Sequence, residues 1–252
     1  SSGLTFTVDT TVPTVASVSV PANASYNAGD TLAFTVNTSD AVTVDSSGGT
    51  PRLALDIGGS TVYAGYASGS GSSALVFTYT VQAGDNDADG ITVSALQANG
   101  GTIKDTADNN LTLTLNSISS TMNVLVDTTA PTITFTNLAF SADTGTSSTD
   151  FITNTAPQTI TATLSSAPAG SDIIFGSFDN GATWTDITNK VSGTTLTWDS
   201  VTLSASSTLK LKVTDSAGND GTVASQAYVL DTTAPSITFS NVAFSADTGS
   251  SS

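Results

Sequence analysis

The sequence predicts an all-β chain of tandem sandwiches joined end to end, and three observations carry the prediction. Short runs of alternating apolar residues recur along the chain, separated by clusters of Gly, Ser, Asn and Asp. Nowhere does an apolar stripe at helical spacing last for three turns. All 21 acidic residues are Asp, with no Glu, and Asp favours caps, turns and metal loops where Glu favours helices.

The division into modules comes from a phrase that occurs three times: Asp9-Thr10-Thr11-Val12-Pro13, Asp127-Thr128-Thr129-Ala130-Pro131 and Asp231-Thr232-Thr233-Ala234-Pro235. Each copy lies between two apolar runs, so it reads as a joint between strand-built units. Proline fixes its own φ and pushes the preceding residue into extended geometry, which makes such joints stiff. The intervals between the copies are each about 100 residues, a comfortable length for one β domain. The expected modules are therefore 9–126 and 127–230, with residues 1–8 as the end of a preceding module. Ser236–Ser252 nearly repeats Thr132–Ser148, so 231–252 reads as the start of a third module and the chain as a piece of a longer array.

Within the first module the strand-like runs are Thr14–Val20, Thr31–Asn37, Arg52–Ile57, Thr61–Ala67, Ala74–Val81, Ile91–Ile103 and Leu111–Val126. The second gives Thr132–Ala139, Gln158–Leu164, Ile173–Phe178, Thr183–Ile187, Thr195–Leu203, Thr208–Asp215 and Thr222–Leu230. Seven strands in about 100 residues, with no room for crossover helices, suggest an immunoglobulin-like sandwich in each module. A jelly roll would need an eighth strand.

Composition excludes several kinds of chemistry. With no Cys and no His there can be no disulfide, no Ser-His or Cys-His nucleophile pair and none of the usual zinc ligand sets, and no enzyme activity is expected. A net charge of −16 argues against nucleic acid and anionic membrane as partners. No apolar run approaches membrane-spanning length, so direct membrane insertion is not expected.

Strand parity then places the loops. If strands alternate up and down, the loops after strands one, three and five share a module's exit end with the outgoing joint. The loop Gly84–Gly90 should lie near Asp127, and Asp215–Asp220 should lie against the same joint from the other side. Asp85-x-Asp87-x-Asp89-Gly90 has the alternate carboxylates and turn-forming Gly that let a short loop fold onto one hard cation. Its twelfth position is Leu96 rather than a bidentate Glu, and strands flank it, so it is not an EF-hand. Calcium held by Asp85, Asp87, Asp89 and Asp127, with Asp215 across the joint, is one reading, because clustered carboxylates without a cation repel by about 1 kcal/mol per close pair even in a water-like dielectric. An ordinary polar turn is the other. Asp105 and Asp108, facing Asp9, and Asp143 and Asp150, sharing an end with Asp231, divide between ligation and turn formation in the same way. Asp45, Asp56 and Asp199 read as surface solvation.

Ser177-x-Asp179-x-Gly181-x-Thr183-Trp184 matches the Asp-box hairpin motif of sialidases and related propellers. A sialidase-like site needs several arginines to clamp a carboxylate, and Arg52 is the only one here. The box is therefore read as a hairpin device, with Asn180-Gly181 supplying the tight turn.

The recurrent DTTAP joint, together with VQAGDNDADGITV, GGTIKDTADNN, SADTGTSSTDFITNT and VTDSAGND, resembles the bacterial Ig-like repeats of giant repeats-in-toxin (RTX) adhesins of the biofilm-associated and ice-adhesin type. The resemblance covers essentially the whole chain. It implies a type I-secreted, extracellular protein at the bacterial cell surface, whose calcium-stiffened modules extend a distal binding region for adhesion and biofilm formation. It also implies Ca2+ at the joints, with neighbouring modules of the same monomeric chain as the partners. Two alternatives stand beside it. One is a carbohydrate-binding or homophilic Ig-like module, with Tyr26, Tyr63, Tyr66 and Trp184 as candidate contacts. The other is an accessory domain of a secreted carbohydrate-active enzyme.

Overall fold

The computed structural model describes residues 8–242 and residue 249. The expected end of a preceding module, apart from Val8, and the expected third module beyond Val242, apart from residue 249, lie outside the described residues. Regular structure in the described chain is β apart from one short 3-10 turn, and two compact units are present. One comprises the chain up to Ile133 with Pro168–Ile174 and Lys212–Thr222; the other comprises Thr134–Ala167, Phe175–Leu211 and the chain from Val223 onward.

The strands up to residue 127 are β1 (Val15–Ser19), β2 (Ala24–Tyr26), β3 (Thr31–Asp45), β4 (Arg52–Ile57), β5 (Ser60–Ser68), β6 (Ser72–Thr80), β7 (Asn86–Asp87), β8 (Thr92–Gln97), β9 (Thr102–Lys104) and β10 (Val124–Asp127). They form a seven-stranded sheet in the order β1-β3-β6-β5-β4-β8, with β9 on β3, and a three-stranded sheet β2-β10-β7. Period-2 alternation decides which side chains go inside. Leu32, Phe34 and Val36 of β3, Leu53 and Leu55 of β4, and Leu75 and Phe77 of β6 share one buried cluster with Val124 and Val126 of β10, so the two sheets enclose a common core. Phe34 lies opposite Phe77 in the β3-β6 ladder and both are fully buried.

Three expected strands changed when they met their partners. The run Thr31–Asn37 continues to Asp45, because after a register break the end of β3 pairs with β9 through Thr43↔Lys104 to Asp45↔Thr102. Ile91–Ile103 is two strands, divided by a turn in which Asn99 and Gly100 both take positive φ. Leu111–Val126 is a strand only from Val124. Before that the chain follows β1 through the isolated bridges Thr14↔Thr112 and Val18↔Ile118, with Leu111 buried and Leu113 and Leu115 packed against the core. The alternating leucines anchor that segment without giving it a ladder.

The later strands are β11 (Phe135–Phe140), β12 (Ile152–Thr153), β13 (Pro157–Leu164), β14 (Ile173–Ser177), β15 (Thr185–Asp186), β16 (Val191–Ser192), β17 (Thr195–Thr202), β18 (Ser207–Thr214) and β19 (Ala224–Leu230), with the 3-10 turn at Thr188–Lys190. Their sheets run β11-β13-β17-β16 and β12-β19-β18-β14-β15. Aromatic rings join the sheets across the core. Phe140 lies 5.0 Å from Phe151 and 5.7 Å from Tyr228, and Phe178 lies 4.4 Å from Trp198. Trp198 of β17 packs directly on Gly176 of β14, where an added Cβ would fall 2.3 Å from the indole. The architecture is an all-β sandwich in which this contact sets the local spacing between the sheets.

Gly176→Ala should therefore destabilise by overpacking, by about 1–3 kcal/mol. A fall in the urea midpoint with an unchanged slope would show it. An unchanged midpoint would mean that Trp198 moves aside freely.

Candidate functional site

The loop singled out for its carboxylates does lie beside Asp127. Its central residues form β7, which pairs antiparallel with β10 through Val126↔Asp87 and Asp127↔Asn86. Thr128 stitches the two together: its Oγ1 accepts from Gly84 N–H (2.9 Å) and donates to the Asp85 carbonyl (3.0 Å), while its own N–H donates to Asn86 Oδ1 (2.9 Å). A groove of about 490 Å3 runs here, lined by residues that include Asn86, Asp87, Asp127, Thr129 and Ser216.

Two of the loop's carboxylates, Asp87 and Asp85, are engaged locally. Asp87 is buried; its Oδ2 accepts from Gly58 N–H (2.8 Å), and its Oδ1 accepts from Gly90 N–H (2.8 Å) and Asp89 N–H (3.3 Å). It thus ties the β4-β5 hairpin to the acidic loop. Asp85 Oδ2 accepts from the Tyr79 hydroxyl (2.6 Å) and from Gln82 N–H (2.8 Å). Burial, and then the adjoining Asp85, push the Tyr79 hydroxyl up to about 12. Asp89 is exposed.

The three joint aspartates behave alike. Oδ1 of Asp9, Asp127 and Asp231 accepts at 2.9 Å from the N–H two residues on, at Thr11, Thr129 and Thr233. Each copy of the phrase therefore opens with the same Asx turn.

Two loops with matching geometry reach these joints. Asp105 Oδ1 accepts from Ala107 and Asn109 N–H (both 2.8 Å), and its Oδ2 accepts from Asn109 Nδ2 (2.8 Å). Asp215 Oδ1 accepts from Ala217 and Asn219 N–H, and its Oδ2 from Asn219 Nδ2, all at 2.9 Å. The fourth residue of each loop is left-handed, Asp108 at φ 68° and Gly218 at φ 90°. From these loops Asn109 Nδ2 donates to the carbonyls of Asp9 (3.2 Å) and Thr11 (3.4 Å), and Asn219 Nδ2 donates to the carbonyl of Asp127 (2.9 Å). The Asn109 amide, followed by the loop's N–H groups, holds the Asp105 carboxyl below its usual range. Asp108 is exposed and faces Lys104 at 3.7 Å. Sequence reasoning named the aspartates of these loops and missed the two asparagines. The recurrence of D-x-A-x-N at the end of a strand was the signal.

The loop Ser141–Thr155 is different. Asp143 Oδ2 accepts from Phe151 N–H (2.9 Å), while Asp143 Oδ1 is buried without a hydrogen-bond partner. Phe151 sits at φ 61°, a strained conformation for a bulky residue, with its ring against Phe140. The Ile152 carbonyl accepts from both Thr144 and Gly145 N–H, and a Cβ on Gly145 would lie 3.4 Å from both Asp150 Oδ1 and that carbonyl. Asp231 N–H donates to the carbonyl of Thr153, so the end of this loop does adjoin the third joint. Among the described residues no group of three or more acidic side chains comes together as a metal site. The orphaned Asp143 oxygen is a buried acceptor that a hard cation would satisfy.

The Asp box is a closed hairpin device. Asp179 Oδ1 accepts from Ser177 Oγ (2.7 Å) and Thr183 N–H (2.8 Å), and its Oδ2 accepts from Thr183 Oγ1 (2.5 Å). The Thr183 hydroxyl and N–H, with Ser177, hold its carboxyl down at about 2. Asp45 and Asp56, expected only to solvate the surface, accept from Ser47 and Gly59 N–H, and Asp199 pairs with Lys190. Of the aromatic candidates, Tyr26 and Tyr66 pack against the core, and Tyr63 lies under the Arg52 guanidinium at 3.6 Å.

Asp87→Ala should cost about 2–3 kcal/mol, because it removes a buried charged acceptor from three backbone N–H groups. Chemical denaturation should show this loss in chelator as fully as in calcium. A loss seen only in calcium would make Asp87 a cation ligand instead. Tyr79 stays neutral in the fold, so its contribution is fully present below pH ~10 and is lost as pH rises toward about 12. The stability difference between wild type and Tyr79→Phe should shrink across that window, and a difference that does not change with pH would contradict it.

No family model matches the sequence, and no curated protein matches it. Among solved structures the chain is similar to the fibronectin(III)-like modules of Clostridium thermocellum CbhA, at 12% identity and a TM-score of 0.35, over 84% of this chain and 93% of that one. It is also similar to a tetra-tandem repeat in the extending region of a large adhesion protein, at 18% identity and a TM-score of 0.25, over 88% of this chain. The match covers 49% of that second structure, so the chain spans about half its length.

Proposed function

We propose that this chain is a calcium-stabilised extender segment of a large, repetitive bacterial surface adhesin, holding a distal binding region away from the cell for adhesion and biofilm formation. The observation that carries the reading is repetition in the joint itself: three copies of one phrase fold into one Asx turn, and two of them receive the same loop. A chain that spends its repeated residues on connection rather than on a pocket is suited to setting distance. Its partners on this reading are neighbouring modules of the same chain, its role is not enzymatic, and its setting is extracellular, reached by type I secretion as in the repeats-in-toxin adhesins.

Calcium enters the proposal through Asp143. A carboxylate oxygen buried without a donor is unfavourable, and a hard cation bound by Asp143, Asp150 and a nearby carbonyl would satisfy it. The ion would neutralise that oxygen and fix the loop that leads to Asp231. Asp127, which lines the groove beside β10, remains a candidate for a second ion.

Because the units have their own apolar cores, removing the metal should lower stability without abolishing the fold. Sites of the weak extracellular class, filled at about a hundredfold excess or less, contribute roughly 1–3 kcal/mol. Melting in millimolar calcium should give a midpoint several degrees above that in chelator, and Asp143→Ala should remove part of the difference. Identical midpoints for the wild type would sink the calcium reading.

A further inference from the structure

We infer that the two D-x-A-x-N loops, Asp105–Asn109 and Asp215–Asn219, are metal-independent locks for the D-T-T-x-P phrase, the Asp orienting the Asn amide and the amide holding the phrase by its backbone carbonyl. This goes beyond the extender reading and does not rest on calcium. It gives Asp105 and Asp215 a positioning role toward an amide.

The chemistry of the asparagine carries the argument. Its amide has one end that only donates and one that only accepts. On one side Asn219 meets the Asp215 carboxylate and on the other the Asp127 carbonyl, and both are acceptors. Only Nδ2 satisfies both, so the carboxylate fixes which way the amide points. In the other loop Asn109 Nδ2 lies between the Asp105 carboxylate and the carbonyls of Asp9 and Thr11. The backbone preparing each loop is also the same: Asp105 N–H donates to the Asn109 carbonyl and Asp215 N–H to the Asn219 carbonyl.

A second contact falls on the proline of the first two copies of the phrase. Thr112 N–H donates to the Pro13 carbonyl at 2.9 Å. Gly221, two residues past Asn219, packs so closely on the Pro131 carbonyl that a Cβ would lie 2.7 Å from it. The first two copies of the phrase are therefore gripped at the Asp carbonyl by an amide and approached at the Pro carbonyl by the chain just beyond the loop. What is recognised is backbone, presented by an Asx turn and a proline. Position four of the phrase can accordingly be Val12 or Ala130.

The test is hydrogen exchange on the intact chain, read by residue in chelator and again in millimolar calcium. In chelator, wild type should protect the N–H groups of Ala217, Asn219 and Thr129. Asn219→Ala should speed their exchange about fivefold, the loss expected for an ordinary hydrogen bond. Asp215→Asn should do the same, since it sets an amide donor against an amide donor. Asn109→Ala should act on Ala107, Asn109 and Thr112 and leave Ala217 and Asn219 alone. Exchange at Phe34 and Leu209 reports the cores and should not change. If Asn219→Ala unfolds the chain, Asn109→Ala decides by the same criterion. Protection that appears only in calcium, or variants that leave exchange unchanged, would overturn the lock, whereas equal melting midpoints in calcium and chelator would overturn only the calcium reading.

Discussion

Backbone N–H groups that leave a β ladder need an acceptor, and in this protein an Asp carboxylate supplies it again and again. Asp45, Asp105, Asp127, Asp186 and Asp215 each accept from the N–H two residues on, and Asp56 and Asp179 accept three and four residues on. The short Asp side chain reaches these groups with little loss of rotamer freedom, where Glu would overshoot and favour helix. That explains a sequence with 21 Asp and no Glu better than surface solvation does. The loops are ordered by their own side chains, and the sheets are left to the apolar residues.

The cost of the device is charge. At −16 the chain repels itself, and its few cations relieve this only locally, through Lys104–Asp108, Lys190–Asp199 and Lys212–Asp220. Pairs this exposed are worth at most about 1 kcal/mol each. Stability must come from burial, and the cores supply it: Phe34, Phe77, Leu53 and Leu75 in one, and Ile160, Leu196, Leu209 and Leu211 in the other are withdrawn from water entirely. At Asp45, Asp105, Asp179 and Asp186 the hydrogen bonds also hold the carboxyl below its usual range. Order in the loops and acidity of the surface therefore have one cause.

Asp87 shows how one residue type serves two ends. Its neighbours Asp85 and Asp89 stay near water, while β7 pairing with β10 turns Asp87 inward to face Gly58 and Gly90. Alternation along a strand sends successive side chains to opposite faces, so three carboxylates spaced by two would share a face in a regular strand. The chain is a strand only for Asn86–Asp87, and turns on either side send Asp85 and Asp89 elsewhere. A loop that looks like a ligand set in sequence is, in its hydrogen bonding, a buried staple flanked by two turn residues.

The sequence by itself determined the all-β class, the position of most strands and the hairpin role of the Asp box, because each rests on local information: period-2 alternation and turn chemistry. It also placed Gly84–Gly90 beside Asp127, although the structure adds β2 and β7 to the strands counted there. What only tertiary structure decided are the pairings between distant parts of the chain. Whether Leu111–Asn123 would ladder depended on what β1 offered it, and β3 could extend to Asp45 only because β9 was there to pair with it. Asp143, whose other oxygen is buried without a partner, accepts from the N–H of Phe151, which packs on Phe140 in a backbone conformation no local rule would choose. Asn109 and Asn219 reach carbonyls at Asp9 and Asp127, 100 and 92 residues away, which propensity cannot see. Local sequence sets which groups a segment presents, and the fold sets what each group meets.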